Sequence, residues 1–380
     1  MKIQVERDAL ADAVAWTARA LPARPTVPVL AGMRLHAGAD LTLSSFDYDV
    51  SAQATVPVVT EEEGSALVSG RLLAEISRSL PARPVQITSE GGKAVLSCGS
   101  ATFTLLTMPE EEYPALPTMP QAAGTVGSDA FASAVSQSAT AAGRDDTLPA
   151  LTGVRIEIEG DTLTLISTDR YRLAVRELRW SPVRPGLSAA VLVPARALAE
   201  TARSLTSGAE VSIALALPGD APDGGVVGDG MIGFEGGGRQ TTTRLLGGEF
   251  PRYQALLPSH ASSAAELPTP ALAEAVKRVA LVAERNSAVR LAFSTGQLVL
   301  EAGSGEEAQA VELLEAGYEG DDLAIAFNPQ YLLDGHTAID SDTVRMSFTE
   351  PGKPALITGK PAPDGEPDYR YLLMPIRLGG

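Results

Sequence analysis

The sequence predicts an α+β protein made of three similar domains, each with two helices packed on antiparallel sheet. The first indication is a phrase that occurs twice. "VSGRLLAEISRSL" begins at Val68 and "VPARALAETARSL" begins at Val193, and the two share the residue at eight of thirteen positions. A weaker third copy, "FNPQYLLDGHTAI", begins at Phe327, so the copies start about 125 and 134 residues apart. A repeat of this length indicates one structural unit present three times.

The repeated phrase has the pattern of an amphipathic helix. In the first copy Leu73, Ile76 and Leu80 recur at helical spacing on one side, whereas Arg71 and Arg78 lie on the other. We therefore expect the leucine side of this helix to face a core and the arginine side to face water.

A second helix and a set of strands complete each unit. Apolar helical stretches begin at Glu6, Gly127 and Pro268, one ahead of each copy of the phrase. Stretches that alternate apolar and polar residues around a glycine-bearing turn follow, as in "VRIEIEGDTLTLISTDRYRLAV". This alternation is typical of antiparallel hairpins with one face in water. Each unit is thus predicted to run helix, strands, helix, strands.

Proline-rich joints separate the units. They lie at 108–121 and 249–270, and the third unit ends with the chain. We accordingly place the domains at 1–121, 122–258 and 259–380. Self-sufficient units repeated in this way favour an array whose overall shape matters more than any single pocket.

Composition and charge exclude several classes of protein. The chain has 47 acidic and 30 basic residues, a formal charge of −17, which argues against a protein that coats nucleic acid with its whole surface. Its single cysteine, Cys98, cannot form an internal disulfide, and the first residues lack an export signal, so we expect a cytoplasmic protein. No apolar run approaches the roughly 20 residues that span a bilayer, which predicts no membrane role.

The motifs that resemble enzyme or metal sites are weak. "GDGMIG", which begins at Gly228, matches a dinucleotide fingerprint, but the following "FEGGGRQTTTRLL" favours a loop and a strand over the required helix. His36, His260 and His336 have no metal-ligand spacing with one another or with Cys98. Acidic runs are usually solvated loops. We therefore assign no metal, no cofactor and no catalytic residue.

Two pairs of arginines stand out because each repeats a spacing of seven residues, or two helical turns. Arg71 and Arg78 form the first pair, and Arg196 and Arg203 form the second. One interpretation is a track for backbone phosphates, contacted without reading bases. The alternative is an exposed helix on which the first arginine of each pair bonds the glutamate four residues later. In so acidic a chain, a basic track would line an interior.

The chain resembles a known family over essentially its whole length. The phrases that carry the resemblance occur in the family's order: "ARPTVPVL" from 23, "LTGVRIEI" from 151, "STDRYRLAV" from 167, "EFPRYQALLP" from 249, "AFNPQYLLD" from 326 and "YLLMPIRL" from 371. Together they are similar to the bacterial DNA polymerase III beta subunit, or beta sliding clamp.

This resemblance implies a head-to-tail homodimer that closes as a ring around double-stranded DNA, with helices lining the hole. It implies a processivity factor, a non-catalytic subunit of the DNA polymerase III holoenzyme that binds DNA without sequence preference. An ATP-driven clamp loader would open the ring. The polymerase alpha subunit and other repair and replication proteins would dock extended peptides in a cleft between the second and third domains.

The resemblance also implies site residues. Arg24, Arg71, Arg196 and Arg203 would face DNA, and the helical spacing adds Arg78. Gln330 and Thr337 occupy the arginine places of the third repeat. For the subunit contact, the implied residues are Phe103, Leu105 and Leu281, with ordinary packing as the alternative.

The implied peptide cleft draws on several segments of the second and third domains. Its residues are Leu151, Thr168, Arg170, Tyr171, Arg172, Leu173, Pro251, Leu256, Asn328, Tyr331, Leu372, Met374, Pro375 and Ile376. The chain departs from the family here. Many members read Thr-Asp-Gly-His-Arg-Leu where this chain has Arg170 and Tyr171 in the Gly-His places, and Leu148 and Ala255 stand where some members carry arginines. An apolar cleft with a few polar groups suits capture of leucine and aromatic anchors.

Two other classes of function remain open from the residues alone. One is a three-domain scaffold that binds partners without encircling DNA, and the other is an oxidoreductase that uses the loop at Gly228. A scaffold would be free to be monomeric, whereas an oxidoreductase must bind a nicotinamide or a flavin.

Overall fold

The computed structural model describes residues 1–206, 208–216, 230–283, 288–303, 308–360 and 367–377. The chain forms two compact units. Unit 1 comprises Met1–Phe131, Ser181–Pro185 and Glu200–Leu245. Unit 2 comprises Ala132–Trp180, Gly186–Ala199 and Leu246–Gly380.

Each predicted domain contributes two α-helices, as expected. They are α1 (Arg7–Thr17), α2 (Gly70–Ser79), α3 (Ser128–Ala139), α4 (Ala195–Ser204), α5 (Thr269–Val279) and α6 (Pro329–Thr337). Helices α2, α4 and α6 are formed by the three copies of the repeated phrase. Short 3-10 turns flank several of them, at Ala18–Ala20, Pro28–Ala31, Glu110–Glu112, Pro149–Leu151, Tyr253–Leu256 and Ala280–Val282.

The other regular elements of the described residues are strands. In chain order they are β1 (Lys2–Val5), β2 (Gly32–Ala37), β3 (Asp40–Phe46), β4 (Val50–Pro57), β5 (Val59–Glu62), β6 (Gly64–Ser69), β7 (Val85–Glu90), β8 (Lys93–Cys98), β9 (Ala101–Met108), β10 (Ala122–Gly127), β11 (Gly153–Glu159), β12 (Thr162–Thr168), β13 (Arg172–Arg179), β14 (Ser181–Pro182), β15 (Ser188–Pro194), β16 (Glu210–Leu215), β17 (Met231–Gly236), β18 (Arg239–Arg244), β19 (Ser263–Pro268), β20 (Val289–Ser294), β21 (Gln297–Ala302), β22 (Ala310–Glu315), β23 (Gly317–Glu319), β24 (Leu323–Phe327), β25 (Thr343–Phe348), β26 (Ala355–Gly359) and β27 (Tyr369–Leu373).

All strand pairs among the described residues are antiparallel. Unit 1 holds one sheet in the order β14-β10-β16-β17-β18-β4-β3-β2-β6-β9-β8-β7-β1-β5. Unit 2 holds two sheets, in the orders β15-β11-β12-β13-β27-β26-β25-β19-β23 and β22-β21-β20-β24. The predicted fold class, two helices on antiparallel sheet in each domain, is confirmed.

Two sheets continue past the predicted domain boundaries. Strand β4 pairs with β18, placing Ala52 opposite Thr241, and β13 pairs with β27, placing Leu173 opposite Leu372. Because an unpaired strand edge exposes a row of backbone donors and acceptors, joining neighbouring edges satisfies those groups. This pairing is one reason that the compact units do not coincide with the three predicted segments.

The repeated helices bury the predicted side. Leu73, Ile76 and Leu80 of the first copy are all buried, and so is Leu198 of α4. In α6 the buried set includes His336, where burial, aided by the Lys277 charge, lowers the pKa of the imidazole to about 4. His336 is therefore a neutral core side chain at ordinary pH.

The glycine motif does not form a dinucleotide site in the part that can be described. Residues 228 and 229 lie outside the described ranges, but β17 begins at Met231, where the fingerprint requires a helix. Across the described residues, no group of three or more His, Cys, Asp or Glu side chains is placed to hold a metal ion. Within the same ranges, no helix has the length and apolar character needed to cross a membrane.

Candidate functional site

Helix α2 presents its two arginines to solvent. Arg71 and Arg78 are both exposed. Arg71 does not pair with a glutamate of its own helix within the described residues; instead its Nη2 donates to the carbonyls of Pro22 and Ala23, at 3.0 and 2.8 Å. These bonds fix the loop that carries exposed Arg24 against the start of α2. Three predicted DNA-facing arginines thus belong to one local structure of unit 1.

Helix α4 repeats this arrangement in part. Arg196 and Arg203 are exposed on it, two turns apart, as predicted. Arg203 lies in the last turn of α4. A positive charge is favoured there because the last carbonyls of a helix carry partial negative charge.

Helix α6 departs from the other two copies. Gln330 and Thr337, in the arginine places, are exposed, and Gln330 Nε2 donates to Asp334 Oδ1 at 2.7 Å. The face of α6 that corresponds to the basic faces of α2 and α4 therefore has no arginine at either repeated place.

A tight turn between β12 and β13 organises the predicted cleft. Asp169 Oδ1 accepts the backbone N–H groups of Tyr171 and Arg172, each at 3.0 Å. Thr168 is buried, and its hydroxyl donates to the Arg172 carbonyl at 2.7 Å. An aspartate that bonds to the backbone two and three residues later is a common way to hold such a turn.

The turn holds a non-glycine residue in the left-handed region. Arg170 has φ +78°, at the place where many family members carry glycine. Unit 1 has the same feature at Tyr48, φ +76°, behind an Asp47 that also accepts backbone N–H groups. Side chains with a Cβ are disfavoured there, so both turns store strain.

Replacing Arg170 by glycine is expected to raise the free energy of unfolding by about 0.5 to 1 kcal/mol, because glycine adopts this backbone conformation without the Cβ clash. Urea unfolding followed by circular dichroism measures the difference. Arg170→Ala is the control, since alanine loses the long side chain but keeps the Cβ. Equal stability of the glycine and alanine variants would argue against strain at this residue.

Arg172 is the electrostatic centre of the cleft wall. Its side chain is only 6% exposed, its Nε donates to Asp169 Oδ2 at 2.9 Å, and its Nη1 donates to Asp334 Oδ2 at 2.7 Å. The guanidinium also lies 4.3 Å from the centre of the Tyr331 ring. Burial opposes the charge, but Tyr371, Asp334 and Asp169 outweigh it and raise the pKa of Arg172.

A cavity of about 540 Å³ opens beside this network. Five predicted cleft residues line it, namely Leu151, Arg170, Tyr171, Arg172 and Tyr331. Leu148, which the family resemblance had already linked to the cleft, lines it too. Sequence reasoning had not assigned the others, namely Ala142, Gly143, Arg144, Asp145, Asp169, Gln330 and Asp334. Asp334 occupies the glutamate position of the third repeat, so the sequence predicted its place on the helix. The sequence did not predict its ion pair with Arg172.

The apolar part of the predicted site has a buried floor. Leu173 and Leu372 are 2% and 3% exposed and pack in one cluster with Phe250 and Tyr253. Their side chains therefore support the surface from below and do not line an open cleft. The neighbouring predicted residues Pro251 and Leu256 are exposed.

The segment after β27 joins this floor to the cavity. Met374 N–H donates to the Tyr171 carbonyl at 2.8 Å, and Ile376 N–H donates to the Ala326 carbonyl at 2.8 Å. Met374 is 42% exposed and Ile376 is 38% exposed, with half-buried Pro375 between them. Asn328 caps α6, its side chain accepting from the N–H groups of Gln330 and Tyr331, and so it positions Tyr331.

The residues predicted at the subunit contact differ in exposure. Leu281 is 83% exposed and Phe103 is half-buried, whereas Leu105 is 4% exposed and packs inside unit 1. Strand alternation turns the next residue outward, and Leu106 is 73% exposed. The Leu105 side chain is thus not available to a partner, whereas the Leu106 side chain is.

Comparison with known proteins gives the family. Models of the DNA polymerase III beta subunit match in succession, the N-terminal domain at residues 1–117, the central domain at 125–252 and the C-terminal domain at 254–377. The beta sliding clamp of Streptomyces coelicolor is 61% identical over 383 residues and covers 100% of both chains.

Solved structures agree. The DNA polymerase sliding clamp of Bacillus subtilis has a TM-score of 0.90 at 27% identity, covering 100% of both chains. The sliding clamp of Pseudomonas aeruginosa, in a structure bound to griselimycin, has a TM-score of 0.89 at 29% identity, also covering 100% of both chains.

Three successive helix-on-sheet domains of the DNA polymerase III beta type define a DNA clamp. The chain belongs to the DNA polymerase III beta subunit family, the bacterial beta sliding clamps. Its function is that of a processivity factor, a non-catalytic subunit that keeps the replicative polymerase on DNA.

Proposed function

We propose that two copies of this chain close head to tail into a ring around duplex DNA in the bacterial cytoplasm. Each copy would contribute three clamp domains, bounded at 1–121, 122–258 and 259–380. The observation that carries this proposal is the pair of repeated helices, α2 and α4, each with exposed arginines two turns apart.

The charge distribution suits a ring that slides. The formal charge of −17 repels DNA from most of the surface, while Arg24, Arg71, Arg78, Arg196 and Arg203 supply local positive charge. Arginines that meet phosphates attract every sequence equally and release readily as salt rises. Retention on DNA would then come from closure of the ring and not from tight binding.

Two strand edges offer surfaces for closure. In unit 1, β9 pairs with β6 only at Thr107 and Met108, so its earlier part keeps a free edge that carries Leu106. In unit 2, β22 ends its sheet and exposes Val311 and Leu313 at 62% and 59%. An exposed edge with apolar side chains is a template for pairing with another chain. The β9 edge of one copy would meet the β22 edge of the other, with Phe103 and Leu281 beside the contact.

The cleft would bind short extended peptides of the polymerase alpha subunit, of the clamp loader, and of other replication and repair proteins. Exposed Tyr171, Leu256, Met374 and Ile376 offer apolar contact area, and the cavity beside Arg172 offers polar groups. Among these partners, the ATP-driven clamp loader would also open the ring. An apolar surface with a few fixed polar groups recognises peptide anchors through both area and orientation.

Replacing Met374 by alanine is expected to weaken binding of an alpha-subunit peptide by about 2 kcal/mol, because a well-packed apolar anchor contact is lost. Isothermal titration calorimetry of the peptide measures the change. Val59→Ala is the matched control, since Val59 is an apolar residue of unit 1 that is 67% exposed outside the cleft.

Unaltered affinity in Met374→Ala, with a normal titration for the control, would remove Met374 from the site. Leu173→Ala would be a poorer test, although Leu173 belongs to the predicted cleft. Leu173 is 2% exposed, so its truncation also leaves a cavity in the core and destabilises the fold.

A further inference from the structure

Two arginines that are distant from each other in sequence meet at one tryptophan in unit 1. The Arg19 guanidinium lies 5.5 Å from the centre of the Trp16 ring, and the Arg239 guanidinium lies 5.6 Å from it. Trp16 is 3% exposed, and its indole N–H donates to the Gln53 carbonyl at 3.1 Å. The ring is therefore fixed, and it holds two cations in one place through cation–π contacts.

The same two arginines contact the C-terminal half of α4. Arg19 Nη1 donates to the Glu200 carbonyl at 3.4 Å, and Arg239 Nη1 donates to the Ser204 carbonyl at 3.0 Å. Neither forms a salt bridge with a carboxylate of the described residues. Because a guanidinium has five N–H donors, each keeps most of its donor capacity.

Arg203 of α4 completes the cluster. Burial lowers the pKa of Arg19, and the charges of Arg239 and Arg203 lower it further, while Glu200 alone acts in the opposite direction. The Arg239 and Arg203 guanidinium groups therefore lie near enough to Arg19 for their charges to act on it. Arg19 and Arg203 are exposed and Arg239 is half-buried, so an anion from solvent can reach them.

We propose that Arg19 and Arg239 join Arg203 of α4 in one site, here called the α4-end cluster, that binds phosphates of duplex DNA. The inference rests on the proposed function, because it takes the exposed face of α4 as a surface that meets DNA. Guanidinium groups suit this ligand, since their planar forks bind phosphate oxygens in a bidentate way. Fixed by Trp16 and by α4, they lose little side-chain freedom on binding.

A purely structural role makes a different prediction. Arginines near the end of a helix satisfy its last carbonyls and interact favourably with its dipole. If Arg19 and Arg239 only cap α4, removing them lowers the stability of the fold but leaves the number of phosphate contacts unchanged.

The salt dependence of DNA binding separates the two roles. The full chain is titrated against a short fluorescein-labelled duplex, and binding is followed by anisotropy at several salt concentrations. For Arg19→Ala/Arg239→Ala, the slope of log affinity against log salt is expected to fall in magnitude by about 2, close to one per lost phosphate contact. Lys2→Ala/Arg179→Ala is the control, because both residues are exposed cations outside the cluster.

Arg71→Ala/Arg78→Ala serves as the reference for the proposed function. A reduced slope in that variant, together with a control-like slope in Arg19→Ala/Arg239→Ala, would overturn the α4-end cluster and leave the clamp proposal standing. Unchanged slopes in both variants would overturn the cluster and the arginine face together. A lower melting temperature with an unchanged slope would establish capping alone and overturn the cluster.

A charge-preserving variant keeps the inference testable if the alanine variant fails to fold. Arg19→Lys/Arg239→Lys retains both cations but loses the bidentate forks. The cluster predicts weaker binding with a slope close to that of the original chain. Affinity equal to the original chain would overturn the role of the forks, and with it the site as described.

Discussion

Replacing Arg172 by alanine is expected to lower the free energy of unfolding by about 3 to 5 kcal/mol, because the change leaves two carboxylates partly buried without their shared cation. Asp169 and Asp334 would lose 2.9 and 2.7 Å contacts, and Tyr331 would lose the guanidinium beside its ring. Urea unfolding measures the loss, and peptide titration of the folded fraction measures the damage to the cleft.

A matched control is available in the same unit. Arg179 pairs with Asp161, but its side chain is 76% exposed, so Arg179→Ala is expected to change stability little. If Arg172→Ala were no less stable than this control, the buried network would not be holding the cleft wall. Asp169→Asn would then be the next variant, since the amide still accepts the turn's N–H groups but no longer carries a charge.

Introducing a carboxylate at the proposed subunit contact is expected to convert the dimer into monomers. Leu106→Asp and Leu281→Asp each place a charge where the partner would cover it, which opposes association because an unpaired charge is costly to bury. Both residues are highly exposed in the single chain, at 73% and 83%, so each variant should fold normally. Sedimentation velocity over a range of concentrations reports the assembly state.

Val59→Asp is the control for this pair, because it adds the same charge at another exposed apolar residue outside the two edges. The control should remain dimeric. A dimer of unchanged stability in both Leu106→Asp and Leu281→Asp would contradict the edge-to-edge closure of β9 and β22 and would require another contact between copies.

The fold was predictable from the sequence because its local patterns are strong. Leucines at helical spacing placed the buried side of α2, and apolar alternation marked the hairpins. The proline-rich joints did not predict which strands pair across them, as β13 pairs with β27. Such pairing depends on which strand edges are left unpaired in each domain, and no local pattern describes that. The sequence thus predicted the repeated unit but not the continuous sheets.

Single-residue placement on strands was the least predictable part of the sites. Leu105 and Leu106 are both apolar, and a shift of one residue exchanges which of them faces the core. In the same way, Leu173 was assigned to the cleft through the family resemblance, but it lies in the floor beneath. The family resemblance assigns a whole segment to the cleft, whereas burial decides which of its side chains a partner can touch.

No sequence pattern predicted the contacts between residues that are distant in sequence. Arg172 meets Asp334 across 162 positions, and Arg239 reaches Trp16 from a strand far along the chain. In the sequence alone, nothing distinguishes Arg172 or Arg239 from an arginine on the surface. Their interaction with a buried partner becomes visible only when the chain is folded, and for that reason the α4-end cluster was absent from the sequence prediction.

Topological linkage to DNA is the most direct test of the account. The protein is loaded with its cognate loader and ATP onto nicked circular DNA and washed at high salt, and the circle is then cut. We predict that the protein stays on the intact circle and leaves after cutting, because salt erases phosphate contacts but not a closed ring. Binding that high salt abolishes, or that cutting does not affect, would contradict the ring and the role of the arginine faces within it.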